Sequence, residues 1–117
     1  MKLFNTKTNQ IEEFKPIKEN EVSIYVCGPT VYGDAHIGNA RPIILFDTLR
    51  RLLTALGYKV DFVSNYTDVD DKIITKAIQE NVDETTITKR YIDAYESVRK
   101  SLNTLPVQSN PKVTETI

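Results

Sequence analysis

Apolar and polar positions along this chain change period several times, and each change predicts an element. Val22-Ser23-Ile24-Tyr25-Val26-Cys27 is rich in β-branched and aromatic residues and predicts a strand, with Asn20 just before it. A break follows at Gly28-Pro29 and runs through Gly33-Asp34. From about Gly38 the period becomes helical, with Ile43, Phe46, Leu49, Leu53 and Leu56 at steps of three and four. Gly57 then stands where a left-handed helix cap is wanted. Lys59 to Ser64 predicts a second strand. After the loop Asn65 to Asp68, a short helix fits Asp70 to Glu80. A longer one fits Glu84 to Leu102, whose stripe is Ile87, Tyr91, Tyr95, Val98 and Leu102. Lys2-Leu3-Phe4 and Ile11 to Phe14 read as short strands joined at Thr8-Asn9. Asn110-Pro111 forms an N-cap and first-turn pair. The helix it announces is cut off at Ile117, so the chain is expected to be a fragment or an isolated subdomain. There is no internal repeat and no low-complexity tract.

The strand Val22 to Cys27, the helix from Gly38 and the strand from Lys59 make a βαβ unit. Its crossover is expected to be right-handed with parallel strands. The fold class that follows is α/β, Rossmann-like, with a mainly parallel sheet and flanking helices. Ligands of such sheets bind outside the carboxyl ends of the strands. Those ends are Gly28 to Gly38 and Asn65 to Asp71, which should lie side by side.

Composition narrows the function classes. The 117 residues carry 15 Lys and Arg against 16 Asp and Glu, a formal charge of −1, which excludes a polybasic tail or a wholly basic nucleic-acid cradle. The single cysteine, Cys27, excludes an intrachain disulfide and a metal site built from cysteines alone. The longest aliphatic-aromatic run, Ile43-Ile44-Leu45-Phe46, falls far short of the ~20 residues that span a bilayer. The start lacks the apolar stretch of a secretory signal. A cytoplasmic protein with no membrane partner is expected.

Three of the four glycines, Gly28, Gly33 and Gly38, fall between the first βαβ strand and its helix. Glycine lets backbone approach a ligand closely, and a helix start offers N–H groups and a positive dipole end. An anion, above all a phosphate, is the natural guest. Familiar templates fail: Gly28 and Gly33 have P-loop spacing, but Asp34-Ala35 stands where Lys and Ser or Thr must be, and no G-x-G-x-x-G exists. What remains is His36-Ile37-Gly38-Asn39, two hydrogen-bond donors three residues apart with a glycine between them. Spacing alone favours a turn histidine beside a helix cap, and a small buried hydrophobe at Cys27. Asp68, Asp70 and Asp71 resemble a calcium loop, but that frame demands glycine at 73 and glutamate at 79, where the chain has Ile73 and Gln79. Asp68 or Asp70 is therefore expected to cap a helix, with Asp71 in its first turn.

Several segments in fixed order carry a resemblance: Tyr25-Val26-Cys27-Gly28-Pro29-Thr30-Val31-Tyr32, His36-Ile37-Gly38-Asn39-Ala40-Arg41, Phe46-Asp47, Leu56-Gly57-Tyr58 and Asn65-Tyr66-Thr67-Asp68-Val69-Asp70-Asp71-Lys72. Together they resemble the cysteinyl-tRNA synthetase family of class I aminoacyl-tRNA synthetases, over essentially the whole chain. The resemblance implies that residues 1–117 are the amino-terminal part of a nucleotide-binding catalytic domain, without its remainder and without the anticodon-binding domain. It implies activation of cysteine with ATP and Mg to cysteinyl-adenylate, then transfer to tRNA(Cys), by an enzyme that is a monomer in the cytoplasm. Pro29, Thr30, Val31, Tyr32, Gly33, Asp34, Ala35, His36, Ile37, Gly38 and Asn39 correspond to the ATP-binding signature, with His36 and Asn39 as its catalytic positions. Asn39 stands where many members have a second histidine, and it can still donate. Cys27 corresponds to one ligand of a zinc, one per full-length subunit, whose other ligands lie outside this chain. Zinc suits such chemistry, because a soft thiolate separates cysteine from serine far better than pocket shape, which gives perhaps ~10²-fold between near-isosteres. Gly28 and Thr67 correspond to positions lining the amino-acid pocket. The 117 residues alone are expected to be inactive and metal-free, since they lack the loop that holds pyrophosphate and the other zinc ligands.

Two further readings compete. A cysteine–amino-sugar ligase of mycothiol synthesis would share the zinc and the adenylate step without tRNA; Thr30-Val31-Tyr32 and Asn65-Tyr66-Thr67-Asp68 favour the synthetase. A standalone nucleotide-binding module without catalysis is the third.

Overall fold

A computed structural model describes residues 1–116. Its elements run β1 (Lys2–Asn5), β2 (Gln10–Glu13), β3 (Glu21–Val26), α1 (Ile37–Ala55), β4 (Lys59–Ser64), α2 (Asp71–Glu80), α3 (Glu84–Ser101) and α4 (Val113–Thr116). β3 and β4 pair in parallel, with Val22 opposite Val60, Ile24 opposite Phe62 and Val26 opposite Ser64. The two-residue period of a strand sends Val22, Phe62 and Ser64 inward while Glu21, Ser23, Tyr25, Lys59 and Asp61 face out. α1 covers the inner face, and its Arg50 guanidinium lies 5.7 Å from the Phe62 ring centre. The expected α/β class with a parallel sheet is what the chain adopts. β1 and β2 form a separate antiparallel hairpin that turns at Asn9, whose φ of 57° suits asparagine. It meets the rest through the Phe14 ring, set edge-on to Tyr58 at 6.2 Å.

Helix ends follow from their residues. At the end of α1, Gly57 has φ +91°, its N–H donates to the Thr54 carbonyl at 3.0 Å, and the Tyr58 N–H reaches Leu53 at 3.1 Å. That paired closure satisfies two otherwise free carbonyls, as the sequence predicts. α3 closes in the same way with Asn103 at φ 55°, and α2 with Asn81 at φ 53°. Ile87 and Tyr91 of the α3 stripe are buried, and together with Ile73 and Ala77 of α2 they form the main core cluster. Val31 and Tyr66, one from each strand-end loop, complete it.

Several expectations need correction. Cys27 lies just beyond β3, not within the strand, and α1 begins at Ile37 with His36 as its cap. Asn110-Pro111 does not start a helix. Residues 109–112 run beside β4 and its following loop through isolated parallel bridges, with the Ser64 N–H donating to the Ser109 carbonyl at 3.1 Å and the Tyr66 N–H to that of Pro111 at 2.9 Å. The open edge of β4 offers ladder bonds that a helical start there would forfeit, and α4 begins only at Val113. Where that helix stands at Ile117 lies outside the described residues. α1 clasps this returning segment: Asp47 accepts from the Leu105 N–H at 2.8 Å, and Arg50 and Arg51 donate to the carbonyls of Pro106 and Asn103 at 2.6 and 2.9 Å.

Candidate active site

The two loops at the carboxyl ends of β3 and β4 lie against each other, as their strand order requires. The Gly28 N–H donates to Asn65 Oδ1 at 2.8 Å. The Thr67 N–H donates to the Pro29 carbonyl at 3.0 Å, and the Thr67 carbonyl accepts from the Val31 N–H at 3.1 Å. Thr30 and Thr67 thus continue the parallel ladder past the strands. A Cβ on Gly28 would stand 1.8 Å from the Asn65 carbonyl oxygen, so this approach admits only glycine. Gly33, by contrast, has open space around it and no positive φ, so nothing within the chain demands glycine there.

At the start of α1, His36 and Asn39 form one capping arrangement. His36 is extended, its Nδ1 accepts from the Gly38 N–H at 3.0 Å, and Asn39 Oδ1 accepts from the His36 N–H at 2.9 Å. With Nδ1 committed to the backbone, a neutral imidazole carries its proton on Nε2. With Oδ1 committed in the same way, the Asn39 amide presents its NH₂ as a free donor pair. Capping therefore fixes two side-chain donors at the positive end of a 19-residue helix. The imidazole lies across Gly38, where a Cβ would be 2.6 Å from its Cε1. Gly38→Ala is therefore expected to push His36 off its cap. The gain in helix propensity, about 1 kcal/mol, offsets the lost cap of similar size, so stability should hardly change. His36 is the only histidine, so its ring-nitrogen NMR signals report the tautomer directly. The parent chain should show Nε2–H alone, and the variant a mixture.

The remaining predicted residues divide between surface and core. Tyr32, Asp34 and Ile37 are exposed, while Pro29, Thr30, Gly33 and Ala35 are half-buried. Val31 is buried at 2% exposure in the core cluster and anchors the loop on α2 and α3. Lys72 Nζ stands 5.1 Å above the Tyr32 ring, and Lys76 Nζ 4.8 Å above that of Tyr91. Asp70 caps α2 through the Lys72 N–H, with Asp71 in the first turn as expected. Asp68 accepts instead from the N–H and hydroxyl of Thr114, 46 residues away. Burial disfavours its charge, but those hydrogen bonds outweigh burial and hold its carboxyl below the usual range.

Two small cavities flank this loop. One, of about 160 Å³, lies under Pro29 to His36 and is closed by Asn39, Tyr91 and Tyr95. The other, of about 120 Å³, is bordered by Cys27, Gly28, Pro29, Asn39, Tyr95 and Arg99 among others. Pro29, Asn39 and Tyr95 belong to both and so link the Cys27 side to the His36 side. Thr67 lines neither; its backbone holds the loop. Tyr91, Tyr95 and Arg99 are not expected at the site from sequence, where they are simply part of a helix.

Cys27 is exposed, contrary to a buried hydrophobe, and its Sγ makes a weak hydrogen bond to the Gly28 carbonyl at 3.8 Å. A thiol so placed fits one position in a metal site. Among the described residues no group of three His, Cys, Asp or Glu side chains could hold a metal ion. No helix among them is long and apolar enough to cross a membrane.

The parallel βαβ unit of this α/β fold thus carries the His36–Asn39 pair at its helix start, beside an exposed thiol at the strand end. The chain belongs to the family described as the class I (C) tRNA synthetase catalytic domain, whose profile it matches over residues 13–117. Among its relatives are the cysteine–tRNA ligases of Lachnoclostridium phytofermentans and Finegoldia magna. The first is 57% identical over 117 residues, all of this chain and 25% of that protein. The second is 59% identical over 118 residues, all of this chain and 26% of that protein. The cysteine–tRNA ligase of Fusobacterium nucleatum is 56% identical over 118 residues, with 25% of its length covered. The chain spans about a quarter of the length of the curated relatives it matches.

Proposed function

We propose that residues 1–117 are the amino-terminal part of the catalytic domain of a cysteine–tRNA ligase, a longer cytoplasmic protein that acts as a monomer. The rest of that protein would supply the remainder of the domain and the anticodon-binding part. In it, cysteine is activated with ATP and Mg to cysteinyl-adenylate and then transferred to tRNA(Cys). The observation that carries this reading is the reciprocal cap of His36 and Asn39. It places an imidazole N–H and an amide NH₂ at the helix start, where negative charge would develop on phosphate during displacement. Gly28 and Thr67 hold the two strand ends together beside that point, so the amino-acid pocket would form between Cys27 and the signature loop. The names of the relatives favour this over the cysteine–amino-sugar ligase and over a standalone nucleotide-binding module.

Cys27 would give one thiolate to a zinc whose other ligands come from the rest of the protein. Bound there, the metal would take the substrate thiol, for which a hydroxyl is a poor substitute. In the full-length protein, Cys27→Ser should lower zinc content and the preference for cysteine over serine together, the latter by about 10²-fold or more. Zinc analysis alongside exchange of pyrophosphate into ATP, with either amino acid present, checks both. Full zinc content and unchanged selectivity would return Cys27 to a structural role.

A further inference from the structure

Tyr66 sits at the end of β4 with 4% of its surface exposed, and its hydroxyl donates to the carboxylate of Glu96 on α3. The Glu96 carboxylate is shared with Arg99, whose Nη1 lies 3.3 Å away and which is itself 8% exposed. Burial, reinforced by Glu96, pushes the Tyr66 hydroxyl well up, so it remains a donor. The Tyr66 ring also stands edge-on to Tyr95 at 6.0 Å. Apart from Glu96 and Arg99, the surroundings of the ring are apolar. Val31, Ile73, Ala77, Ile87 and Tyr91 make an apolar wall that a phenylalanine would fill. Holding the Arg99 guanidinium and the Tyr66 hydroxyl out of water is costly, and an apolar replacement of similar shape is often at least as stable. A hydrogen-bonded cluster with Tyr66 and Arg99 buried and the Glu96 side chain 39% exposed does, however, fix one arrangement where an apolar contact would let elements slide.

What Tyr66 holds still is the hub of the site. On either side of it, Asn65 binds Gly28, and Thr67 binds Pro29 and Val31. Its own N–H and carbonyl bind Pro111 and Val113. We propose that Tyr66, Glu96 and Arg99 are positioning residues: their hydrogen-bonded cluster sets where the loop Gly28 to Val31 lies relative to the start of α1. This rests on the proposed function only for its consequence in catalysis; the mechanical claim stands on the geometry.

The test is site-resolved amide hydrogen exchange on the 117-residue chain and its Tyr66→Phe variant. Val31 and Thr67 should exchange about tenfold faster or more in the variant, while amides in the middle of the β3–β4 ladder keep their rates, the pattern of a local opening. Glu96→Gln retains an acceptor for the hydroxyl and should preserve the protection; Glu96→Leu should lose it. Unchanged exchange at Val31 and Thr67, or an equal acceleration at every amide, would overturn the proposal. In the full-length protein, Tyr66→Phe should raise KM for ATP several-fold, and KM for cysteine with it, because Gly28 and Thr67 move with the same loops. Local exchange as expected with an unmoved ATP KM would confirm the positioning and overturn the reading of the loop as the ATP site.

Discussion

Gly28→Ala is expected to destabilise the chain by about 3 kcal/mol, at the upper end of overpacking costs. The added Cβ would stand 1.8 Å from the Asn65 carbonyl oxygen and 3.0 Å from its carbon, and backbone cannot swing aside as a side-chain tip can. Nor can Asn65 retreat. Its neighbours Ser64 and Tyr66 donate to the Ser109 and Pro111 carbonyls, and Thr67 is tied to Pro29. The strain must open either the Gly28–Asn65 contact or the ladder beyond it. Against a total stability of about 5–15 kcal/mol, that is a large share. The melting temperature, followed by circular dichroism, should fall by about 10 °C. A fall of less than about 2 °C would show that the two strand ends do not approach so closely.

Much of this arrangement is legible in the sequence, and what is not has a common cause. Local signals suffice where local chemistry decides: Gly57 at a position needing positive φ, Ile87 and Tyr91 on a helical stripe, Asp70 before a helix. They fail where the partner is distant in sequence. Ser109, Asn110 and Pro111 have no strand-like period, and only the free edge of β4 holds them alongside it. Asp68 finds Thr114 instead of its own helix. Val31 looks like any loop valine, yet its burial seats the loop after β3 on α2 and α3. At His36 two readings from sequence compete, cap or donor. The structure shows why they need not, because a ring that caps through Nδ1 has Nε2 left to donate.

Loss of that second function should have the largest effect on catalysis. In the full-length protein, removing one donor aimed at developing charge should lower adenylate formation by about 10²–10³-fold. Binding of cysteine, which on the proposed reading depends on the Cys27 side, should stay nearly unchanged. His36→Ala removes cap and donor together, and the cap alone is worth about 1 kcal/mol. His36→Ser separates them, since serine is a strong N-cap but places no donor where Nε2 stands. The decisive measurement is therefore cysteine-dependent exchange of pyrophosphate into ATP by full-length His36→Ser, with its melting temperature as control. The expected result is exchange reduced about 10²–10³-fold at near-parental stability. Parental exchange kinetics in that variant would contradict the account and leave His36 as a helix cap only.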